Sequence, residues 1–149
     1  MKESDVRRHL ITNLSSFGDI EAIENMVGTG NPDVNYCFNG YEGWIEVKFK
    51  REIPKRPTTA LFGKCLKPSQ HIWFRRRYMA GHRRIFIYGR ADDRLFLLPG
   101  YMHYEFEVMT LSEIEELCVW QGKVRKADWE ELAQTLETTY RNIPKYMQE

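Results

Sequence analysis

No apolar run in this chain of 149 residues approaches the ~20 residues that a membrane-spanning helix requires. The opening stretch, Met1 to Arg8, has no apolar core of the kind a secretory signal needs, so the expected location is the cytoplasm. Cysteine is scarce: Cys37, Cys65 and Cys118 are odd in number and far apart, which excludes a disulfide framework and a C-x-x-C zinc or redox site. The four histidines, His9, His71, His82 and His103, are scattered. They match no histidine nuclease spacing, and each is expected at or near the surface, with His71 beside Gln70 near enough to reach a phosphate. The glycines of Gly28-Thr29-Gly30 lack the G-x-x-x-x-G-K-[ST] spacing of a nucleotide-binding loop. No repeat, low-complexity tract, helix-turn-helix or zinc finger is visible.

What the chain does have is a composition, 42% apolar and 29% charged, that suits a single globular domain. Its net charge of +1 conceals an asymmetry. Between Lys48 and Arg90 stand thirteen Lys and Arg against one acid, Glu52, while the rest holds nine basic and twenty acidic residues. A block this basic inside a near-neutral chain suits a polyanion, and nucleic acid is the commonest polyanion in a cytoplasm.

Val6, Leu10, Ile11 and Leu14 recur at helical spacing and predict an amphipathic helix from Glu3 to about Phe17, stopped near Gly18. Asp19 to Val27 fits a short strand or a helical turn. Pro32 excludes a mid-helix reading of the glycine turn before it. Val34, Tyr36 and Phe38 then alternate with polar residues, Asn39 to Gly43 supplies a turn, and Ile45, Val47 and Phe49 alternate again. Arg51 to Lys67 reads as a long, partly mobile connection. A helix opens at Pro68 or Ser69 and stops at Gly81; its Trp73, Phe74 and Tyr78 are expected in the core. Arg84 to Tyr88 and Arg94 to Leu98 read as a hairpin. From about residue 101 to the end a helical, acidic extension is expected, with helices over Leu111 to Leu117 and Lys126 to Tyr140.

The alternation carries the main inference. If the apolar faces of the two early strands share a core, Asp33, Glu46 and Lys48 lie together on the opposite face. Two carboxylates and the main-chain carbonyl of Val47 are hard oxygen donors suited to Mg²⁺ or Mn²⁺. Lys48, two residues beyond Glu46, would neutralise a phosphate and orient a water.

Pro32-Asp33, Glu46-Val47-Lys48 and the later Gln70, in the contexts Gly30 to Asp33, Trp44 to Lys48 and Leu66 to Trp73, resemble the PD-(D/E)XK nuclease superfamily. Within it the likeness is to the phage and bacterial VRR-NUC group and the Holliday junction resolvases. The resemblance spans roughly Glu3 to Tyr88. It implies a restriction-endonuclease-like α/β (α+β) fold, a central mixed sheet flanked by helices, and a phage-encoded Mg²⁺- or Mn²⁺-dependent DNA endonuclease. It assigns Asp33, Glu46 and Lys48 to catalysis, adds Gln70 beside the lysine, and calls for a further acid from the first helix. Glu3 is the first candidate for that acid, with Glu21 and Glu24 as alternatives. Gln70 has another reading, as a cap of its own helix.

Lys50, Arg51, Lys55, Arg56, Lys64, Lys67, Arg75 and Arg76 are the expected nucleic-acid contacts. With no base-reading module present, they imply recognition of DNA by backbone and shape. Junction resolution would in addition require a homodimer. The acidic remainder supports a second reading, a catalytically silent DNA-binding or DNA-mimicking accessory protein that keeps the fold.

Overall fold

A computed structural model describes residues 1–24 and 29–138; the expectations placed on Met26, Val27, Gly28 and Tyr140 fall outside these. Helix α1 (Glu3–Leu14) buries the stripe Val6, Leu10 and Leu14, each contributing roughly 1.5–3 kcal/mol through its removal from water. Strand β1 (Asp19–Ala22) follows, so the first part of the ambiguous 19–27 segment is extended. Strands β2 (Val34–Phe38) and β3 (Tyr41–Lys50) form the hairpin that the alternation predicts. Its turn is narrower than expected: Asn39 and Gly40 alone take positive φ, 53° and 86°, the pairing of residues that a two-residue primed turn favours.

Helix α2 (Pro68–Met79) connects β3 to β4 (Ile85–Ala91), and β3 and β4 are consequently parallel. Every other neighbouring pair is antiparallel, including β4 with β5 (Arg94–Pro99) across the Asp92-Asp93 turn. A 3-10 turn and the short α3 (His103–Phe106) lead to α4 (Leu111–Leu117), which is capped by Thr110 with Glu113 reaching back. Strand β6 (Trp120–Lys123) and α5 (Trp129–Glu137) complete the described chain. The outcome is a mixed α/β architecture: a six-stranded mixed sheet, in spatial order β1 to β6, flanked by helices among the described residues.

Two apolar clusters cover the two faces. Val6, Leu10, Leu14, Leu132 and Leu136 from α1 and α5 pack with Val34, Tyr36, Phe38, Ile45 and Val47. Trp73, Phe74, Tyr78, Phe106 and Ile114 from α2 to α4 pack on the other face with Ile85, Ile87 and Leu98. Trp73, Phe74 and Tyr78 are therefore core, as expected.

Two expectations need correction. The region after residue 101 is not simply a helical extension: β6 adds the sixth strand by pairing with β5, and Tyr36 Oη donates to the Leu136 carbonyl at 2.6 Å. A four-residue strand with burial on one side only leaves too short an alternation to be read. The 51–67 connection, in turn, is pinned along its second half. Leu61, Phe62 and Leu66 are buried, and the Leu61 amide donates to the Met109 carbonyl at 2.9 Å. Its apolar anchors are too widely spaced to register as an element.

No described helix is long and apolar enough to cross a membrane.

Candidate active site

The β2 ladder stops at Val34, opposite Ile45, so β3 runs on past its neighbour. Asp33, the residue just before β2, closes that gap with its side chain: Oδ1 accepts from the Val47 amide at 3.1 Å. In an antiparallel strand one residue directs its N–H and C=O to the same side, so the Val47 carbonyl faces the Asp33 side too. Ile45 and Val47 belong to the core on the α1 side. Glu46 and Lys48 alternate with them and face α2.

All three charged side chains are buried, Asp33 at 8%, Glu46 at 4% and Lys48 at 7% exposure. Burial of a charge is costly unless it is paired. Lys48 Nζ lies 3.2 Å from Glu46 Oε2, and Gln70 Nε2 donates to the same oxygen at 2.9 Å. Asp33 Oδ2 accepts from Arg7 Nη1 at 3.3 Å. Glu46 Oε1 is buried and has no hydrogen-bond partner.

The electrostatics follow from this crowding. Burial, and next the charge of Asp33, push the Glu46 carboxyl up to about 7 against the opposing pull of Lys48. Burial also raises Asp33, while the Val47 amide and Arg7 pull it down. For Lys48, burial disfavours the ammonium, but Glu46 and Glu3 outweigh it and the group ends above its ordinary value. Glu3, at the exposed start of α1, is raised by partial desolvation and by Asp33, and lowered by Lys48. It is thus a charge neighbour of the pair.

Glu21 lies exposed on β1 opposite Asn35. Exposed Glu24 borders a surface cavity together with Arg7.

Gln70 reaches Glu46 because of how α2 begins. Pro68 starts the helix, and Gln70 Oε1 accepts from the Lys67 amide at 2.8 Å, so one end of the amide caps α2 while the other bonds Glu46. Gly30 (φ +71°) brings the loop before Asp33 against the same helical turn, where an added Cβ would lie 2.2 Å from the Ser69 carbonyl oxygen. The Gly30 to Asp33 segment and the Gln70 turn are thereby held in contact.

The residues present suit a divalent cation. Two adjacent buried carboxylates, one with an unpartnered oxygen, are hard donors held at the expense of mutual repulsion. Among the described residues no group of three or more His, Cys, Asp or Glu is placed to hold an ion, so a cation here would have this pair and main-chain oxygen as its donors.

Lys50, Arg51, Lys55, Arg56, Lys64, Lys67, Arg75 and Arg76 are all exposed. Lys50 ends β3 and Arg51 follows it, while Lys64 and Lys67 precede α2. Lys55 and Arg56 border a cavity of about 330 Å³ between the 53–59 loop and α4; its lining does not include Asp33, Glu46, Lys48 or Gln70.

The expectation that the histidines stand apart is overturned for two of them. Buried His71 and His103 bring their Nδ1 atoms to 2.6 Å, and His71 Nε2 lies 2.8 Å from Glu107 Oε1. Glu107 Oε2 accepts from the Cys65 and Leu66 amides at 2.6 and 2.8 Å. Their sequence separations, 32 and 36 residues, hid the cluster. Arg7 was missed too, although a signal existed: it stands four residues after Glu3, on the same face of α1.

The chain matches no family model and no curated protein.

Proposed function

We propose that this chain is a Mg²⁺- or Mn²⁺-dependent nuclease that hydrolyses DNA phosphodiester bonds, built on a restriction-endonuclease-like core of the PD-(D/E)XK kind. The observation that carries this reading is the unpartnered, buried Oε1 of Glu46 beside Asp33 and Lys48. A structural ion pair would leave neither an orphan oxygen nor a second carboxylate forcing the first towards neutrality. Asp33, Glu46 and the Val47 carbonyl would hold the cation, with Glu3 as the nearby acid of α1. Bound there, Mg²⁺ or Mn²⁺ supplies a Lewis acid for a phosphoryl oxygen and makes water more acidic.

The chain's own residues do the rest. Lys48 keeps its proton and stands as a point charge where a phosphate gains negative charge. Gln70 fixes the rotamer of Glu46 and leaves Oε1 for the cation. Exposed basic residues between Lys48 and Gln70, namely Lys50, Arg51, Lys64 and Lys67, give affinity for the sugar-phosphate backbone whatever the sequence. Structure-selective cleavage of branched, junction or single-stranded DNA fits that mode better than sequence-specific cutting.

The test is cleavage of plasmid, single-stranded, flap and four-way junction DNA with Mg²⁺, Mn²⁺ or EDTA. Metal-dependent cutting by the wild type that Lys48→Ala loses is expected. Inactivity on every substrate, or activity unaffected by EDTA, contradicts the proposal.

A further inference from the structure

An open cavity of about 450 Å³ is lined by Lys64, Tyr104, Glu105, Glu107 and Val108, within the size range of small-ligand sites. Its apolar members are exposed side chains of large area: Tyr104 is 55% and Val108 71% exposed. A lone exposed aromatic residue calls for no explanation, but the Tyr104 ring is unusual in its backing. It lies parallel to His71, with centroids 4.2 Å apart and planes at 4°. His71 is fixed in turn through His103 and Glu107, and His103 stacks on Phe74 at 15°. The ring is therefore held flat on one side while more than half of the residue meets solvent, the form of a stacking platform.

Two connections place this platform next to the acidic pair. Along α2, His71 follows Gln70, whose amide bonds Glu46. Along the preceding loop, Lys64, which lines the cavity, stands three residues before Lys67, whose amide donates to Oε1 of the same Gln70. Glu107 ties both together by accepting from the Cys65 and Leu66 amides and contacting His71.

We propose that Tyr104, backed by His71, is a stacking subsite for an unpaired nucleobase of the strand whose phosphate lies at Glu46 and Lys48, with Lys64 on the neighbouring phosphate. The inference rests on the nuclease reading for the position of the strand, and it names the substrate class, a segment with unstacked bases. A base within a duplex is stacked on both faces and offers none to Tyr104. Stacking on an aromatic side chain is tolerant of base identity, consistent with the lack of a base-reading module. Unpaired DNA and unpaired RNA share this chemistry.

The experiment measures binding of oligonucleotides containing 2-aminopurine to the full chain in EDTA, where no cleavage occurs. Single-stranded DNA, single-stranded RNA and duplex DNA are compared for wild type, Tyr104→Ala, Tyr104→Phe and Lys64→Ala. Quenching of 2-aminopurine fluorescence on the single strands is expected. Tyr104→Ala weakens single-strand binding by roughly 5- to 150-fold, leaves duplex binding within about twofold and removes the quenching, while Tyr104→Phe restores both. Lys64→Ala lowers the salt dependence on every substrate. The relative affinity of the DNA and RNA strands identifies the source of the base. Equal single-strand binding by wild type and Tyr104→Ala, or an equal loss on single strand and duplex that Tyr104→Phe does not restore, overturns the subsite. If quenching by Tyr104 is present and cleavage with metal is absent, the subsite stands and the nuclease reading fails.

Discussion

Gln70 holds Glu46 in place: its Nε2 donates to Glu46 Oε2 at 2.9 Å while its own Oε1 accepts from the Lys67 amide at 2.8 Å. One side chain therefore caps α2 and orients the buried carboxylate. Gln70→Ala releases both ends. Cleavage is expected to fall by about 10- to 100-fold, the usual loss when the partner of a metal-ligating group is removed. Stability falls by about 1 kcal/mol for the lost cap. Initial rates and a urea titration on the same variant separate the two effects.

The apo protein carries a pH dependence that begins in Glu46. Its folded carboxyl is raised to about 7 by burial and by Asp33, so the folded state binds more protons than the unfolded one between the ordinary carboxylate range and that value. Stability from this group is fully present below the unfolded pKa and is lost as pH rises towards 7. Glu46→Gln removes that slope and stabilises the metal-free protein above pH 7 by about 3 kcal/mol. Denaturant midpoints in EDTA across this pH range test it; a Glu46→Gln profile parallel to wild type contradicts it.

Gly30 governs how closely the Asp33 loop approaches α2. Gly30→Ala places a Cβ 2.2 Å from the Ser69 carbonyl at φ +71°, combining overpacking of about 1–3 kcal/mol with the penalty of a left-handed backbone, about 1 kcal/mol. The variant is expected to lose about 2–4 kcal/mol in a denaturant titration and to lose cleavage further, through displacement of Gln70. Wild-type stability in Gly30→Ala contradicts the contact.

Glu107 anchors two backbone amides and His71. Glu107→Ala leaves these groups without their acceptor, at about 1–3 kcal/mol for each donor left buried and unpaired. His103, already depressed to about 4 by burial and His71, then loses a neighbour that favours its protonation, so its titration moves lower still. Histidine NMR titrations and thermal melts measure both changes.

The sequence exposed the site's strand geometry because a two-residue period needs only a few positions to declare itself. Val34, Tyr36, Ile45 and Val47 all pack on one face, with Glu46 and Lys48 on the other. The start of α2 was legible from Pro68 and its stop from Gly81. What stayed hidden depends on chain closure over long separations. Arg7 reaches Asp33 across 26 residues and Tyr36 reaches Leu136 across 100, and no local period encodes either. Strand β6 was lost because Trp120, Gln121, Gly122 and Lys123 bury fully only one side chain.

The most direct measurement of the central claim is calorimetric titration of Mn²⁺ into wild type, Asp33→Asn and Glu46→Gln. Wild type is expected to bind with an affinity that rises with pH through about 7, as Glu46 gives up its proton, and with a heat that varies with buffer ionisation. Both variants should bind at least about tenfold more weakly. No binding by wild type, or equal binding by all three proteins, would contradict the assignment of Asp33 and Glu46 as the cation site.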